Sequence, residues 1–157
     1  MIIDGELQFT GAAGGVNSDS PTTGTQNSTN IIDLVNARDM GIGDDPALEV
    51  LATVTTAFAG GTSVQLEFQG APDNGSGAPG TYTTYASGPV IALANLTVGA
   101  TLLDITVPRK AFGAALPRFL RLRSVSVGTH TGGAYYGAIV LDRQDYVNYP
   151  AGITIAN

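Results

Sequence analysis

The chain has 157 residues, of which 43% are hydrophobic and 13% charged, a composition typical of one globular domain rather than of a disordered protein. Thirteen acidic and seven basic residues leave a net charge of −6, which disfavours nucleic acid and anionic membranes as partners. Cysteine is absent, and this excludes disulfides, thiolate zinc sites and cysteine nucleophiles. No signal peptide and no membrane-spanning apolar run are recognisable, so we expect a protein made in the cytosol that has no membrane partner.

The composition of residues 1–30 predicts an extended N-terminal arm. Its first ten residues include four larger apolar side chains, Ile2, Ile3, Leu7 and Phe9. The following segment, Gly11–Asn30, is dominated by Gly, Ala, Ser, Thr, Asn and Gln. Ordering a backbone costs roughly 1–2 kcal/mol per residue, and this segment has little apolar surface to bury in return. We therefore expect it to be mobile unless a partner holds it.

Alternation of apolar and polar residues predicts strands from there onwards. The clearest case is Ala47–Gln69, where two alternating runs are joined by Gly60-Gly61-Thr62. Period-2 spacing places apolar side chains on one face of a strand. Because glycine reaches the positive φ of tight reversals, the two runs predict a hairpin.

Further strands are predicted at 30–35, 81–87, 101–107, 118–127 and 134–141. In 118–127 the parity changes, because Leu120 and Leu122 alternate out of phase with Val125 and Val127. A β-bulge near Arg123-Ser124 would bring both pairs to one side.

About eight short strands separated by turn signals predict an all-β fold, an antiparallel β-sandwich or jelly roll over residues 31–142. An up-and-down barrel is the alternative that periodicity does not separate from it. Residues 143–157 form a predicted C-terminal tail with apolar groups at Tyr146, Tyr149, Pro150 and Ile153.

The sequence offers little catalytic chemistry. His130 is the sole histidine, and its place in a glycine-bounded turn predicts a solvated loop residue. Without a second histidine or a cysteine, neither a catalytic triad nor a zinc site is supported. The densest carboxylates, Asp39, Asp44 and Asp45, lack EF-hand spacing and are interpreted as turn and surface residues. We therefore predict no catalytic residues, no metal and no cofactor, and a hydrolase is disfavoured.

Three arginines form a strip at Arg118, Arg121 and Arg123. The simplest interpretation is a strand with one solvated face. An interface is the alternative, because guanidinium groups pair with carboxylates and arginine is enriched at protein contacts. A nucleic-acid groove is the third interpretation, disfavoured by the acidic net charge.

Several motifs occur in an order that resembles a known family. They fall on Asn30, Ile32, Asp33, Leu34, Arg38, Asp39, Gly41 and Gly43, then Thr56–Val64, then Gly128, Thr129, Thr131 and Gly133, and finally Val140, Leu141, Asp142 and Gln144. This order resembles the jelly-roll capsid cement proteins of tailed bacteriophages, the family typified by the Bordetella podovirus cement protein. The resemblance covers residues 28–144.

The resemblance implies a structural role in the virion. Such proteins lie as homo-oligomers, dimers or trimers, on the outer surface of an icosahedral capsid and bridge major capsid proteins of the HK97-like fold. The residues expected at capsid or subunit contacts are Ile2, Ile3, Leu7, Phe9, Arg118, Arg121, Arg123, Tyr146, Tyr149, Pro150 and Ile153.

A receptor- or carbohydrate-binding module is the alternative function, since lectins share the sandwich architecture. Its signature would be exposed aromatic rings that stack against sugars. The candidate rings are Tyr82, Tyr85, Tyr135 and Tyr136.

Overall fold

The computed structural model describes residues 5–11, 18–38, 48–108 and 115–141. These ranges contain nine strands: β1 Gly24–Asn27, β2 Ile32–Asp33, β3 Leu48–Gly60, β4 Ser63–Ala71, β5 Thr83–Ser87, β6 Ile91–Ala92, β7 Thr101–Thr106, β8 Phe119–Val127 and β9 His130–Leu141. They also contain two single 3-10 turns, Gly5–Leu7 and Leu93–Asn95. No helix within the described ranges has the length and apolar character that crossing a membrane requires.

The strands form two antiparallel sheets that share one core. The larger sheet has the order β1-β8-β4-β5, with β2 also beside β8 and β6 beside β4. The smaller sheet has the order β7-β3-β9. The predicted all-β antiparallel sandwich is thereby confirmed. The barrel alternative is wrong, because β3 and β4 belong to separate sheets.

The sandwich is built around a folded ribbon, which consists of the segment β3–β4 paired with the segment β8–β9. Strand β3 pairs with β9 from Leu48↔Leu141 to Gly60↔His130. Strand β4 continues the same antiparallel pairing with β8, from Ser63↔Val127 to Ala71↔Phe119. The ribbon bends between these two halves, so one half lies in each sheet. This arrangement is a sandwich of the jelly-roll type.

The predicted hairpin over Ala47–Gln69 is therefore wrong, although both strands are present. Gly60-Gly61-Thr62 carries the chain from one sheet to the other as an arch. Gly60 and Gly61 have φ values of 68° and 67°, in the left-handed region that glycine adopts without a steric penalty. The Thr62 amide donates a hydrogen bond to the Val127 carbonyl at 2.7 Å, which anchors the arch to the end of β8.

The core consists of the side chains that the two sheets direct towards each other. Alternate residues are buried along the central parts of β3, β4 and β8, as the period-2 pattern predicts. In β7 the adjacent Leu102 and Leu103 are both buried, where the register with β3 shifts. The central ones are Val50, Ala52 and Val54 from β3, Val64, Leu66 and Phe68 from β4, Leu102 and Leu103 from β7, Leu120 and Leu122 from β8, and Tyr135 and Ile139 from β9.

The predicted bulge in β8 is also wrong. Strand β8 keeps an unbroken register with β4 along its whole length. Ser124 and Ser126 occupy inner positions and are buried, whereas Val127 is 52% exposed on the outer face. The parity change in the sequence reflects a polar patch inside the sandwich, not an extra residue.

The expected N-terminal arm belongs to the sandwich in the parts that the structure describes. Phe9 is fully buried, and its ring meets Phe68 edge-on with centroids 6.1 Å apart. Its amide donates to the Gly137 carbonyl, and its carbonyl accepts from the Asn30 amide, both at 2.9 Å. This segment thus joins β9 to the chain that precedes β2.

Residues 18–30 are integrated in the same way. The backbones of Asp19 and Tyr135 exchange two hydrogen bonds of 2.9 Å. Strand β1 then pairs with β8 from Gly24↔Ser126 to Asn27↔Arg123. The prediction of a mobile segment over Gly11–Asn30 does not hold for its described residues, 11 and 18–30. Backbone pairing with β8 and β9 stabilises this segment although its side chains are polar.

Candidate functional site

In the ranges that the structure describes, no group of side chains converges to form a metal site or a catalytic site. No group of three metal-binding side chains occurs there. Asp39, Asp44 and Asp45 lie outside the described residues. Two pockets of about 390 and 340 Å³ flank Ser20 and Pro21, and their ionisable lining groups are Asp19, Tyr135 and His130. The Asp19 carboxylate accepts hydrogen bonds from the Gly11 amide and from the amide and hydroxyl of Thr29.

His130 is buried, which corrects the prediction of a solvated loop residue. Its Nδ1 lies 2.9 Å from the Gly60 carbonyl oxygen, and its Nε2 lies 3.3 Å from that of Ser63. A Cβ on Gly61 would come within 2.5 Å of the imidazole ring. The histidine therefore fastens the arch between β3 and β4, and it is a structural residue.

Arg118 joins three separate parts of the chain. It makes two hydrogen bonds to Asp33, from Nε at 2.8 Å and from Nη2 at 2.9 Å, and a third to Asp73. Asp73 in turn accepts from the amides of Gly75 at 2.7 Å and Gly77 at 3.0 Å. The result is a connected chain of charge-assisted contacts from the loop after β4 to the end of β2.

These contacts shift the acidity of all three side chains. The hydrogen bond from Arg118 lowers the pKa of Asp33 below its ordinary value. The pKa of Asp73 is lowered mainly by the Gly75 and Gly77 amides, with Arg118 adding to the effect. Asp33 has the largest effect on Arg118 and raises its pKa. The charged forms are therefore the stable ones at neutral pH.

The other two arginines of the strip lie on the outer face of the larger sheet. Arg121 donates from Nε to Gln69 at 2.9 Å and stacks over the Tyr82 ring, 3.5 Å from its centroid. Arg123 donates from Nε to Glu67 at 2.7 Å. Burial lowers the pKa of Arg121 and raises that of Tyr82. Both guanidinium groups thus have partners on neighbouring strands, in agreement with a strand that has one solvated face.

An unusual turn follows β2. Val35 has φ 64° and is the sole non-glycine residue with a positive φ in the described part of the chain. The Asn36 amide donates to the Leu34 carbonyl at 2.7 Å, which closes the turn around Val35. The Val35 amide donates to Asp33 Oδ1 at 2.8 Å, so the turn is connected to the Arg118 contacts. The Val35 side chain itself is 69% exposed.

The residues predicted to make capsid or subunit contacts lie in different parts of the structure. Phe9 lies in the core, so its side chain is not free for an intermolecular contact, and this corrects its assignment. Leu7 is half-buried against the same core. Ile2, Ile3, Tyr146, Tyr149, Pro150 and Ile153 lie outside the described residues and stay predictions. Val35 was missed, because a valine after a short apolar run carries no sequence signal of a positive φ.

The four tyrosines considered for sugar stacking do not form a common platform. Tyr135 is 1% exposed and belongs to the core. Tyr85 packs beside Gly70 and Phe68, and the Tyr82 ring is covered by Arg121. Tyr136 is half-buried, and burial raises its pKa.

Comparison with known proteins assigns the chain to a family. No curated protein matches the chain. Residues 18–139, well over half of the chain and nearly all of the described sandwich, match the Bbp16 family. This family carries the name of a Bordetella phage protein, and it is phage-associated. The matched range also contains most of the ordered motifs noted in the sequence. The chain belongs to the Bbp16 family.

Proposed function

We propose that this chain is a capsid cement protein. In this role it binds the outer surface of an icosahedral phage head as a homo-oligomer and bridges neighbouring major capsid proteins of the HK97-like fold. The observation that carries the proposal is the match to a phage-associated family across the sandwich. The order of motifs in the sequence supports the finer assignment to a cement role.

The architecture suits a protein that acts by binding. A sandwich closed by Phe9 and by the His130 arch is a rigid body that can present several contact points at fixed distances. On a capsid lattice, contacts made after the first act at high effective concentration, so each one can be weak. The scarcity of charged residues is compatible with a surface that packs against other proteins.

The ionisable groups also support binding rather than catalysis. His130, Asp19, Asp33 and Asp73 each have hydrogen-bond partners within the fold. A general base has to reach a substrate proton, and none of these groups lies beside an uncommitted nucleophile in the described residues. The carbohydrate-binding alternative has less support, because Tyr135 is buried and Tyr82 is covered.

The proposal is tested first on particles of the phage that encodes the chain. Quantitative mass spectrometry of gradient-purified particles should find the chain in a fixed ratio to the major capsid protein. The ratio should persist in heads that lack tails. Absence from the heads, or presence in tails alone, would overturn the proposal.

A second test asks whether the chain stabilises the shell. Heads produced without it should release DNA at a lower temperature than wild-type heads, and adding back the purified chain should restore the difference. Release temperature is measured by fluorescence of a DNA dye during heating. If addition of the chain leaves the release temperature unchanged, the stabilising role is wrong.

A further inference from the structure

The turn around Val35 is strained. A three-residue turn whose central residue has a positive φ is the rare hand of the γ-turn. A β-branched residue is especially unfavourable there. Glycine or asparagine would adopt the same backbone with less strain.

The surrounding contacts fix this turn from both sides. The Leu34 amide donates to the Arg118 carbonyl at 2.8 Å, and the Arg38 amide donates to the Pro117 carbonyl at 3.1 Å. The Val35 amide is held by Asp33, which the Arg118 guanidinium holds in turn. Backbone strain persists where neighbouring structure over-determines it, and such places are concentrated at sites of recognition.

The same turn exposes apolar surface. Val35 is 69% exposed, and Ile31, which precedes β2 with the same outward parity as Asp33, is 46% exposed. They are two of five large apolar side chains with this degree of exposure in the described ranges. Strain and hydrated apolar surface are both unfavourable in the isolated chain, and no contact with the described residues explains why valine is used.

Among the described residues of the turn, the charged side chain outside the Arg118 ion pairs is that of Arg38, which is positive. Asp33 and Asp73 are both committed to Arg118. Arg38 is exposed, and its guanidinium donates from Nη2 to the Leu34 carbonyl at 3.1 Å. A guanidinium group has five N–H donors, so most of them remain available for an acceptor on another molecule. A carboxylate is the acceptor that fits this group best.

We propose that the Val35 turn, residues Ile31–Arg38, is the contact through which this chain binds the major capsid protein of the shell. The partner surface has an apolar recess for Val35 and Ile31 and a carboxylate at its rim for Arg38. The ionic contacts of Arg118 hold the turn in its binding conformation before the partner arrives, which reduces the entropy lost on association. This inference rests on the proposed cement function and specifies the chemistry of its partner.

Val35→Gly in the full chain separates binding from folding. Glycine tolerates the positive φ, so the variant should unfold at a higher urea concentration than the matched variant Val98→Gly. It should bind shells that lack the chain at least about tenfold more weakly, as expected for loss of a central apolar contact. Binding is measured by co-sedimentation over a range of chain concentrations.

Two further variants complete the design. Val98→Gly removes an equally exposed valine from a different turn and should bind as wild type does. Arg38→Glu should weaken binding, and Arg38→Lys should restore part of it because the positive charge returns.

The outcomes are distinct. Wild-type binding by Val35→Gly, or equal losses in Val35→Gly and Val98→Gly, would overturn the inference and leave the cement function intact. Both glycines add freedom to the unfolded chain, so Val98→Gly is the reference for strain. A urea midpoint for Val35→Gly above that of Val98→Gly supports a strained turn, and one at or below it would overturn the inference as well. Failure of the wild-type chain to sediment with shells would overturn the proposed function, and this inference with it.

Discussion

At the scale of single residues, His130 is the side chain on which the bend of the ribbon depends most directly. Both of its ring nitrogens face carbonyl oxygens of the arch, and Phe58 packs edge-on against the ring with centroids 5.2 Å apart. When a hydrogen-bond donor is removed, the buried carbonyl that it paired with stays out of contact with water, and this costs free energy. A neutral imidazole has one N–H, so the ring donates a hydrogen bond to one of these two carbonyls and packs beside the other.

His130→Phe should keep the ring packing and remove the hydrogen bond. We expect the free energy of unfolding to fall by about 0.5–1.5 kcal/mol, because the hydrogen bond from the imidazole to the Gly60 or the Ser63 carbonyl is lost. Urea denaturation followed by tyrosine fluorescence measures the change. Thr129→Ala, at the neighbouring exposed position, is the control and should be near neutral. Equal midpoints for His130→Phe and wild type would contradict the assignment.

Arg118 gives a prediction of pH dependence. The pKa values of Asp33 and Asp73 are lowered in the folded state, so their contribution to stability is present above the ordinary aspartate pKa and is lost as the pH falls through the folded values. Asp73→Asn should therefore destabilise the protein at neutral pH. The difference from wild type should shrink below about pH 4, where the wild-type carboxyl also becomes protonated.

Urea midpoints of both proteins at about pH 7 and about pH 3 measure this effect. Glu49→Gln is a control outside the Arg118 contacts. A difference between Asp73→Asn and wild type that is the same at both pH values would mean that the carboxylate charge is not what holds Arg118.

At the scale of the elements, strand positions could be predicted from the sequence and strand partners could not. The alternation at Val50–Val54 of β3 and Val64–Phe68 of β4 identifies both strands, because one face of each stretch is buried and the pleat has a period of two. The Gly60-Gly61-Thr62 link is compatible with a hairpin or an arch. Its choice depends on β8 and on His130, which lie far away in the sequence.

The serines of β8 show a second limit. Alternation indicates the faces of a strand correctly only if the apolar residues face inwards. Ser124 and Ser126 face inwards, so the sequence shows the same change of parity that a bulge would produce. Ser124 Oγ donates to the Gln26 carbonyl at 3.2 Å, so strand β1 makes this polar position favourable. The local sequence of β8 contains no signal that strand β1 pairs with it.

This pair of serines allows a matched test. Ser126 Oγ is buried without a hydrogen-bond partner, so Ser126→Ala should be neutral or should stabilise the protein by up to about 1 kcal/mol. Ser124→Ala loses a hydrogen bond and should cost about 1 kcal/mol. Thermal unfolding followed by circular dichroism compares them. The inner positions are misassigned if Ser126→Ala proves the more damaging of the two.

At the scale of the whole molecule, the N-terminal segment closes one side of the sandwich. Phe9 lies between chain segments of both sheets through its contacts with Gly137, Asn30 and Phe68. The sequence could not predict this, because four apolar residues among polar ones are equally typical of a free arm. The Arg118 contacts were hidden for a similar reason, since Asp33 is 85 residues away along the chain.

Phe9→Ala should cost about 3–5 kcal/mol, the range for removal of a fully buried aromatic ring. Leu7→Ala, at a half-buried position of the same segment, should cost less. Urea denaturation of the full-length variants gives both values. A change below about 1 kcal/mol for Phe9→Ala would favour the independent arm that the sequence suggests.

The folded ribbon has a consequence for how the protein is made. Its central pairs join β3 to β9 and β4 to β8, so an emerging chain exposes the earlier strands before their main partners have left the ribosome. Contacts between such distant positions form slowly, and unpaired strand edges invite association with other chains. Productive folding therefore waits until β8 and β9 have left the ribosome, and until then the unpaired strands of nascent copies made close together on one messenger can associate with one another.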